Sequence, residues 1–347
     1  MKWDRLPQPS RATDSKKPQL EVIMKQIYRT VALAMAALCA IASVHAQQPA
    51  TFPAKSIRLV VPQGAGGSSD NLARVIAHRL SEKWGQPVVV DNRPGAGGNI
   101  GAEIVAKAAP DGYTLLLGYL GTQALNGALY TGLTYNPERD LVPAASLASV
   151  PYVIVANNNL PVRTLSELAA RAKTMPVTYA SAGNGSVNHF IGELFNKAAA
   201  VKMTHVPYKT AVEAMTSTMT GQVDIGVITL GTTIKQIQAG SMRPLAVLTK
   251  QRVDALRDVP TAEEAGFPQL TLNAWFGLFA PAGTPAAVLR RISETTTEVL
   301  KLAPALETIA AMGAEPSPMS LEAFSKLVND DVVRWGKIAR ESGVKLD

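Results

Sequence analysis

Cysteine is almost missing from this chain: the single residue, Cys39, lies in an apolar stretch near the N-terminus. With no second thiol, an intrachain disulfide and a cysteine metal centre are both excluded. Histidine is nearly as scarce, with 4 in 347 residues, and no two stand at the helical spacing of a metal pair. His78 falls mid-helix, His189 opens a helix and His205 lies in a strand, so each is expected to be solvated or satisfied by packing. No serine occupies a Gly-x-Ser-x-Gly elbow, and Gly183-Asn184-Gly185 holds none at its centre. No catalytic residue, metal or cofactor is therefore expected, and the chain reads as a binding protein rather than an enzyme. Clustered Lys/Arg with interleaved aromatics is absent as well, which argues against nucleic acid despite a net charge of +7. After residue 46 no apolar run is long enough to span a bilayer.

What is present starts with an export signal. Lys25 and Arg29 precede an apolar stretch over 31–43, and Val44-His45-Ala46 supplies small residues at the two positions a signal peptidase reads. Cleavage is expected before Gln47, and a start at Met24 would make the leader of ordinary length. Leu38, bulky and directly before Cys39, does not fit a lipid-attachment site. Residues 1–46 hold seven Lys/Arg and three Asp/Glu, so their loss lowers the net charge from +7 to +3. An exported, cysteine-free mature chain fits a periplasm.

In the mature chain, short β-branched runs alternate with helical periodicity. Strands are expected over 57–62, 88–90 and 113–118, with helices from Leu72 to Trp84 and from Ile100 to Ala108 between them. This βαβαβ order predicts a parallel sheet with helices on its faces. Residues 141–157 contain two apolar runs around Pro151 and no helix, which reads as one long bent strand leaving a first domain. A second α/β unit follows. Thr164 and Glu167 offer a capping box, then come strands at 177–180, 204–206, 223–228 and 244–249 with helices between. The last of these strands is expected to run back across the hinge. A strand over 275–280 and three helices close the chain. The resulting division is 1–46 leader, 47–150 plus 250–347 lobe 1, and 151–249 lobe 2.

Two glycine-rich turns lead from strand to helix, at Gln63-Gly64-Ala65-Gly66-Gly67-Ser68-Ser69 and at Ser181-Ala182-Gly183-Asn184-Gly185-Ser186. Helix N-termini carry unpaired N–H groups at the positive end of a dipole and hold anions without a lysine. Ser68 or Ser69 is expected to cap the first of these helices. Asp70 is expected to stabilise that helix start. Neither turn completes a dinucleotide fingerprint or a phosphate loop, and each reads equally as a plain strand–helix turn. A third cluster, Asn92 to Asn99, opens the next helix; its Arg93 is either a carboxylate clamp or a partner of Asp91. The strand ends at Tyr119 to Thr122 and at Thr229 point the same way, because ligands collect at carboxyl ends of strands in open α/β sheets.

The chain resembles the Bug/TctC family of extracytoplasmic solute receptors. The resemblance rests on Gly66-Gly67-Ser68-Ser69-Asp70, Asn92-Arg93-Pro94-Gly95-Ala96-Gly97-Gly98, His205-Val206-Pro207-Tyr208-Lys209, Gly221-Gln222-Val223-Asp224 and Ala280-Pro281-Ala282-Gly283-Thr284-Pro285, in order, from about residue 52 to the C-terminus. It implies an α/β fold of the periplasmic binding protein-like type II class, two lobes joined by crossover strands around a cleft, most simply a monomer. It implies capture of a small carboxylate (a di- or tricarboxylate, an acidic amino acid or an aromatic acid) for the membrane permease of a tripartite tricarboxylate transporter. A sensory or orphan carboxylate receptor is the alternative, and a secreted α/β enzyme using the glycine turns as oxyanion or phosphate holes a more remote one. Carried over by position, Gln63, Gly64, Ala65, Gly66, Gly67, Ser68 and Ser69 would face Ser181, Ala182, Asn184, Gly185 and Ser186 across the ligand, with Tyr119, Thr122 and Thr229 reading its remainder. The chain departs from the family at Gln63-Gly64-Ala65, usually an aromatic followed by two prolines, and at Thr210, usually glycine. It also has Ser217 and Ile228 where aspartates are usual.

Overall fold

The computed structural model describes residues 52–272 and 274–344, together with Met24 and Thr30. Those two residues aside, the expected leader and its cleavage site lie outside the described residues.

Strands β1 (Ile57–Val61), β2 (Val88–Asn92) and β3 (Thr114–Tyr119) pair in parallel, linked by helices α1 (Ser68–Trp84) and α2 (Asn99–Ala106). Ile57, Leu59, Val60 and Val61 are all buried, as a strand covered on both faces requires. Helix α1 buries Leu72, Ala73, Ile76, Ala77 and Leu80, a stripe at helical spacing, and stops at Gly85, whose φ of 64° makes a left-handed C-cap. After a short helix α3 (Asn126–Leu129), strand β4 (Leu141–Ser149) enters the same sheet antiparallel to a later strand.

The chain then crosses over. The expected single strand over 141–157 is two: β4 in the first sheet, and β5 (Tyr152–Ala156) in a second sheet. Between them stands Pro151, which has no N–H to give to a ladder. The second sheet adds β6 (Thr178–Ser181), β7 (Thr204–Pro207), β8 (Ile225–Thr229) and β9 (Arg243–Val247), in the order β7-β6-β8-β5-β9. Helices α4 (Leu165–Thr174), α5 (Val187–Ala199), α6 (Ala211–Thr220) and α7 (Leu230–Gln238) separate these strands. The Thr164 cap forms as expected, its hydroxyl accepting from Glu167 N–H at 3.1 Å.

The return crossing lies beside the outgoing one. Leu248 N–H donates to Tyr152 O at 2.9 Å, Leu272 N–H to Leu248 O at 2.8 Å, and Val150 N–H to Ala274 O at 2.9 Å. Before that return, Val253, Ala255, Leu256 and Val259 pack with Val153, Val155 and Val247 of the second sheet. Strand β10 (Trp275–Pro281) then slots between β3 and β4, and the short β11 (Glu315–Pro316) completes the order β11-β4-β10-β3-β1-β2. Helices α8 (Ala286–Val299), α9 (Ala303–Ala311) and α10 (Leu321–Ser342) finish the chain. Trp275 is fully buried, its ring edge-on to Phe324 and its Nε1–H donating to Asp331 at 2.7 Å. The result is two α/β lobes on paired crossing strands. Among the described residues no helix is long and apolar enough to cross a membrane.

Candidate functional site

The first glycine turn runs from the end of β1 into α1. Its N-cap is Gly67, with no side chain bonded there, so neither Ser68 nor Ser69 is the cap that the sequence suggests. The helix starts one residue too early: both serines already have helical geometry and sit in its first turn. The first backbone bond of that turn is Asn71 N–H to Gly67 O at 3.0 Å, which among the described residues leaves the N–H groups of Ser68, Ser69 and Asp70 without a partner. Asp70 braces the turn from behind, accepting from Gly66 N–H at 2.9 Å, Arg74 Nε at 3.0 Å and Asn92 Nδ2 at 3.0 Å. Burial pushes its carboxyl up, but these donors outweigh it and hold the pKa below the usual carboxylate value. Gly66 adopts a φ of 81°, which a side chain would strain.

The second turn, between β6 and α5, is braced differently. Ser186 is the N-cap, its Oγ accepting from His189 N–H at 3.2 Å. Gly185 N–H donates to His189 Nδ1 at 3.2 Å, and Ser181 Oγ meets His205 Nε2 at 2.6 Å. The two imidazoles stack with centroids 3.7 Å apart and 8° between planes. Burial lowers the pKa of both rings; in His205 the neighbouring His189 adds to it, leaving about 4. Both histidines are therefore neutral supports for the turn near pH 7. His78 stays exposed on α1, as expected. The N–H groups of Ala182, Asn184 and Asn188 have no partner among the described residues.

These turns face one another across a cavity of about 380 Å³ between the lobes. Of the residues singled out from sequence, Gln63, Gly64, Gly67, Ser68 and Ser69 line it on one side, and Ala182, Asn184 and Ser186 on the other. Tyr119 and Thr229 line it as well. Ala65, Gly66, Thr122, Ser181 and Gly185 do not. Thr122 is fully buried behind Tyr119, whose N–H donates to its Oγ1 at 3.3 Å. Arg93 does not line the cavity either; its Nε pairs with Asp91 at 3.0 Å.

Sequence reasoning missed three parts of the wall. One is the loop Pro94 to Gly98, read as a helix opening; another is Tyr130; the third is Asn188 with the stretch Tyr208 to Ala211. The glycine density of 92–99 was the available signal for the first. Tyr130, some 35 residues beyond, carries none.

The lobes touch around the cavity. Ser68 Oγ is 2.9 Å from Thr229 Oγ1, which lies 3.0 Å from Thr232 Oγ1. Tyr130 Oη donates to Asn184 O at 3.4 Å. A Cβ on Gly64 would stand 2.5 Å from Thr210 Cγ2. The arrangement is a closed cleft.

Comparison with known proteins follows the same lines. Residues 72–344 match the family model described as the tripartite tricarboxylate transporter family receptor. BugT of Bordetella pertussis is 36% identical over 299 residues, covering 85% of this chain and 92% of BugT. Among solved structures, Rpa4515 of R. palustris with adipate superposes with a TM-score of 0.80 at 36% identity, covering 84% of this chain and 98% of the other. MatC of Rhodopseudomonas palustris with bound malate gives 0.79 at 33% identity, covering 83% and 100%. With the sequence motifs, the two lobes and the closed cleft agreeing, the chain belongs to the tripartite tricarboxylate transporter receptor family and has that family's periplasmic solute-receptor fold.

Proposed function

We propose that this protein closes on a small carboxylate in the periplasm and delivers it to the permease of a tripartite tricarboxylate transporter. The observation that carries this reading is the wall of the cavity. Residues whose N–H groups have no partner among the described residues, Ser68 and Ser69 on one side and Ala182, Asn184 and Asn188 on the other, line it at two helix starts from opposite lobes. Such groups favour negative charge. Hydrogen bonds to a charged group contribute roughly 1.5–3 kcal/mol each, and a micromolar Kd corresponds to about −8 kcal/mol. A few contacts in a dry closed cleft therefore suffice, because excluding water strengthens each of them. Adipate and malate in the related structures support the ligand class.

In this reading Gln63, Gly64, Ser186, Tyr119 and Thr229 shape the space around the held acid, while Ala65, Gly66, Thr122, Ser181 and Gly185 set the turns without touching it. The lobes divide at the paired crossings near residues 150 and 272, residues 250–272 moving with lobe 2. Export follows cleavage after Ala46, leaving Gln47 as the mature N-terminus. A thermal-shift screen tests the ligand class: carboxylates should raise the Tm, and stabilisation by amines or sugars alone would reject it.

A further inference from the structure

We propose that a second hollow beside the interlobe cavity takes the uncharged, apolar tail of the captured acid; this rests on the carboxylate reading above. The hollow has a volume of about 390 Å³ and lies on lobe 1, between the start of α2 and the loop over 130–135 that follows α3. Ala96 and Tyr130 line both spaces, so the same two residues divide the hollow from the cavity. Tyr130 reaches across to lobe 2, where its Oη donates to Asn184 O in a long bond of 3.4 Å. Two glycines make room for that hydroxyl. A Cβ on Gly97 would stand 2.6 Å from it, and one on Gly185 would overlap it. With glycine on both sides the hydroxyl end meets backbone there rather than side chains, and a small shift of the ring joins the two spaces.

The walls of the hollow suit an alkyl or aryl group. Ile100, Leu133 and the rings of Tyr130 and Tyr135 line it, and Ile100 is left 47% exposed. A tail laid over these groups takes apolar surface out of water on both sides of the contact. Asn99 Oδ1, also on the wall, is already engaged: it accepts from Asn126 Nδ2 at 2.6 Å and from Tyr135 Oη at 3.2 Å, which ties the loop to the start of α2. Among the described residues the one charged group of the wall is Glu103, paired with Lys107 at 2.5 Å. A second carboxylate on the guest would meet that like charge and would leave water for an apolar surface, both unfavourable. Each methylene that leaves water tightens binding roughly fourfold. The hollow therefore sorts acids by the length and the charge of what trails behind the held carboxylate.

Calorimetry on the purified protein tests this with butyrate, hexanoate and octanoate, with octanedioate as the eight-carbon diacid and succinate as the short reference. Octanoate should bind at least tenfold more tightly than butyrate and than octanedioate. Ile100→Asp then sets a charge in the hollow. The position is exposed and lies in the first turn of α2, where an acid suits the helix start, so the fold should hold. This variant should weaken octanoate at least fivefold and leave succinate within twofold, and Leu133→Asp on the facing loop should repeat the pattern. Affinity that does not rise with chain length, octanedioate matching octanoate, or variants that fail to separate octanoate from succinate would each overturn the tail site while leaving carboxylate capture standing. No response to any of these acids, or to the carboxylates of the thermal-shift screen, overturns both.

Discussion

Gly64 and Thr210 come from opposite lobes, and their fit offers a way to perturb closure without perturbing folding. Gly64 does not have a positive φ, so alanine suits its backbone. The added Cβ would nonetheless stand 2.5 Å from Thr210 Cγ2 and 3.1 Å from Thr210 Cβ, inside ordinary van der Waals contact. Overpacking of this kind costs about 1–3 kcal/mol. Because the two residues meet only when the lobes do, the cost falls on the closed state and should appear as a Kd roughly 5- to 150-fold weaker. The ligand-free Tm should stay where it was. Thr210→Ser supplies the control: it deletes Cγ2 but keeps the hydroxyl that accepts from Glu213 N–H at 3.1 Å and caps α6. Alone it should cost no more than about 0.8 kcal/mol, the worth of one buried methyl. In the double variant it should restore most of the affinity lost to Gly64→Ala. Calorimetry with the best carboxylate ligand reads all four corners of the cycle. An unchanged Kd for Gly64→Ala, or a double variant no better than the single, would refute the argument that this contact limits closure.

Ser68→Ala removes the 2.9 Å contact to Thr229 but leaves Thr229 and Thr232 paired at 3.0 Å. It should weaken binding by about 0.5–1.5 kcal/mol, or roughly 2- to 10-fold by titration, with little change in the ligand-free Tm. The histidine stack predicts a pH dependence. Burial and the neighbouring His189 depress the folded pKa of His205 to about 4, whereas an unfolded histidine takes its proton near 6.5. The unfolded chain thus binds more protons between those values, so stability is complete above about pH 6.5 and is lost as pH falls towards 4, by on the order of 2–3 kcal/mol. Thermal melts from pH 7 to 4 should show this loss, and a His205→Gln protein that loses as much would dismiss the ring as its source.

The lobes and the two turns were legible because each depends on local sequence. Leu72, Ile76 and Leu80 recur at the period of a helix face, and Gly66 marks a backbone angle that only glycine takes without strain. Pro151 announced a break, although its consequence, two strands in two sheets rather than one bent strand, depends on which partners lie on either side. The Ser68 and Ser69 capping expectation failed for a comparable reason. Ser, Thr and Asp tolerate both the cap and the first helical positions, and it was Gly67 that took the extended cap geometry. What stayed hidden is what closure alone creates. Gly97 comes to face Gly185, and Tyr130 reaches Asn184, only through the apposition of the two lobes.

That difference also explains how the ligand specificity is written. In the function proposed above, the grip uses main-chain N–H groups whose positions follow from where strands stop and helices start, so it would be carried by the scaffold and survive exchange of most side chains. On that reading discrimination is left to the few side chains on the rims, where Gln63, Gly64 and Thr210 are among the positions at which the sequence is expected to depart from the family pattern. Gly64 and Thr210 bear directly on how far the lobes close. Changing such a pair alters the space left for the guest while sparing the amides that hold its charged end. A receptor built this way can be retuned from one acid to another at its rims without losing its affinity for acids as a class.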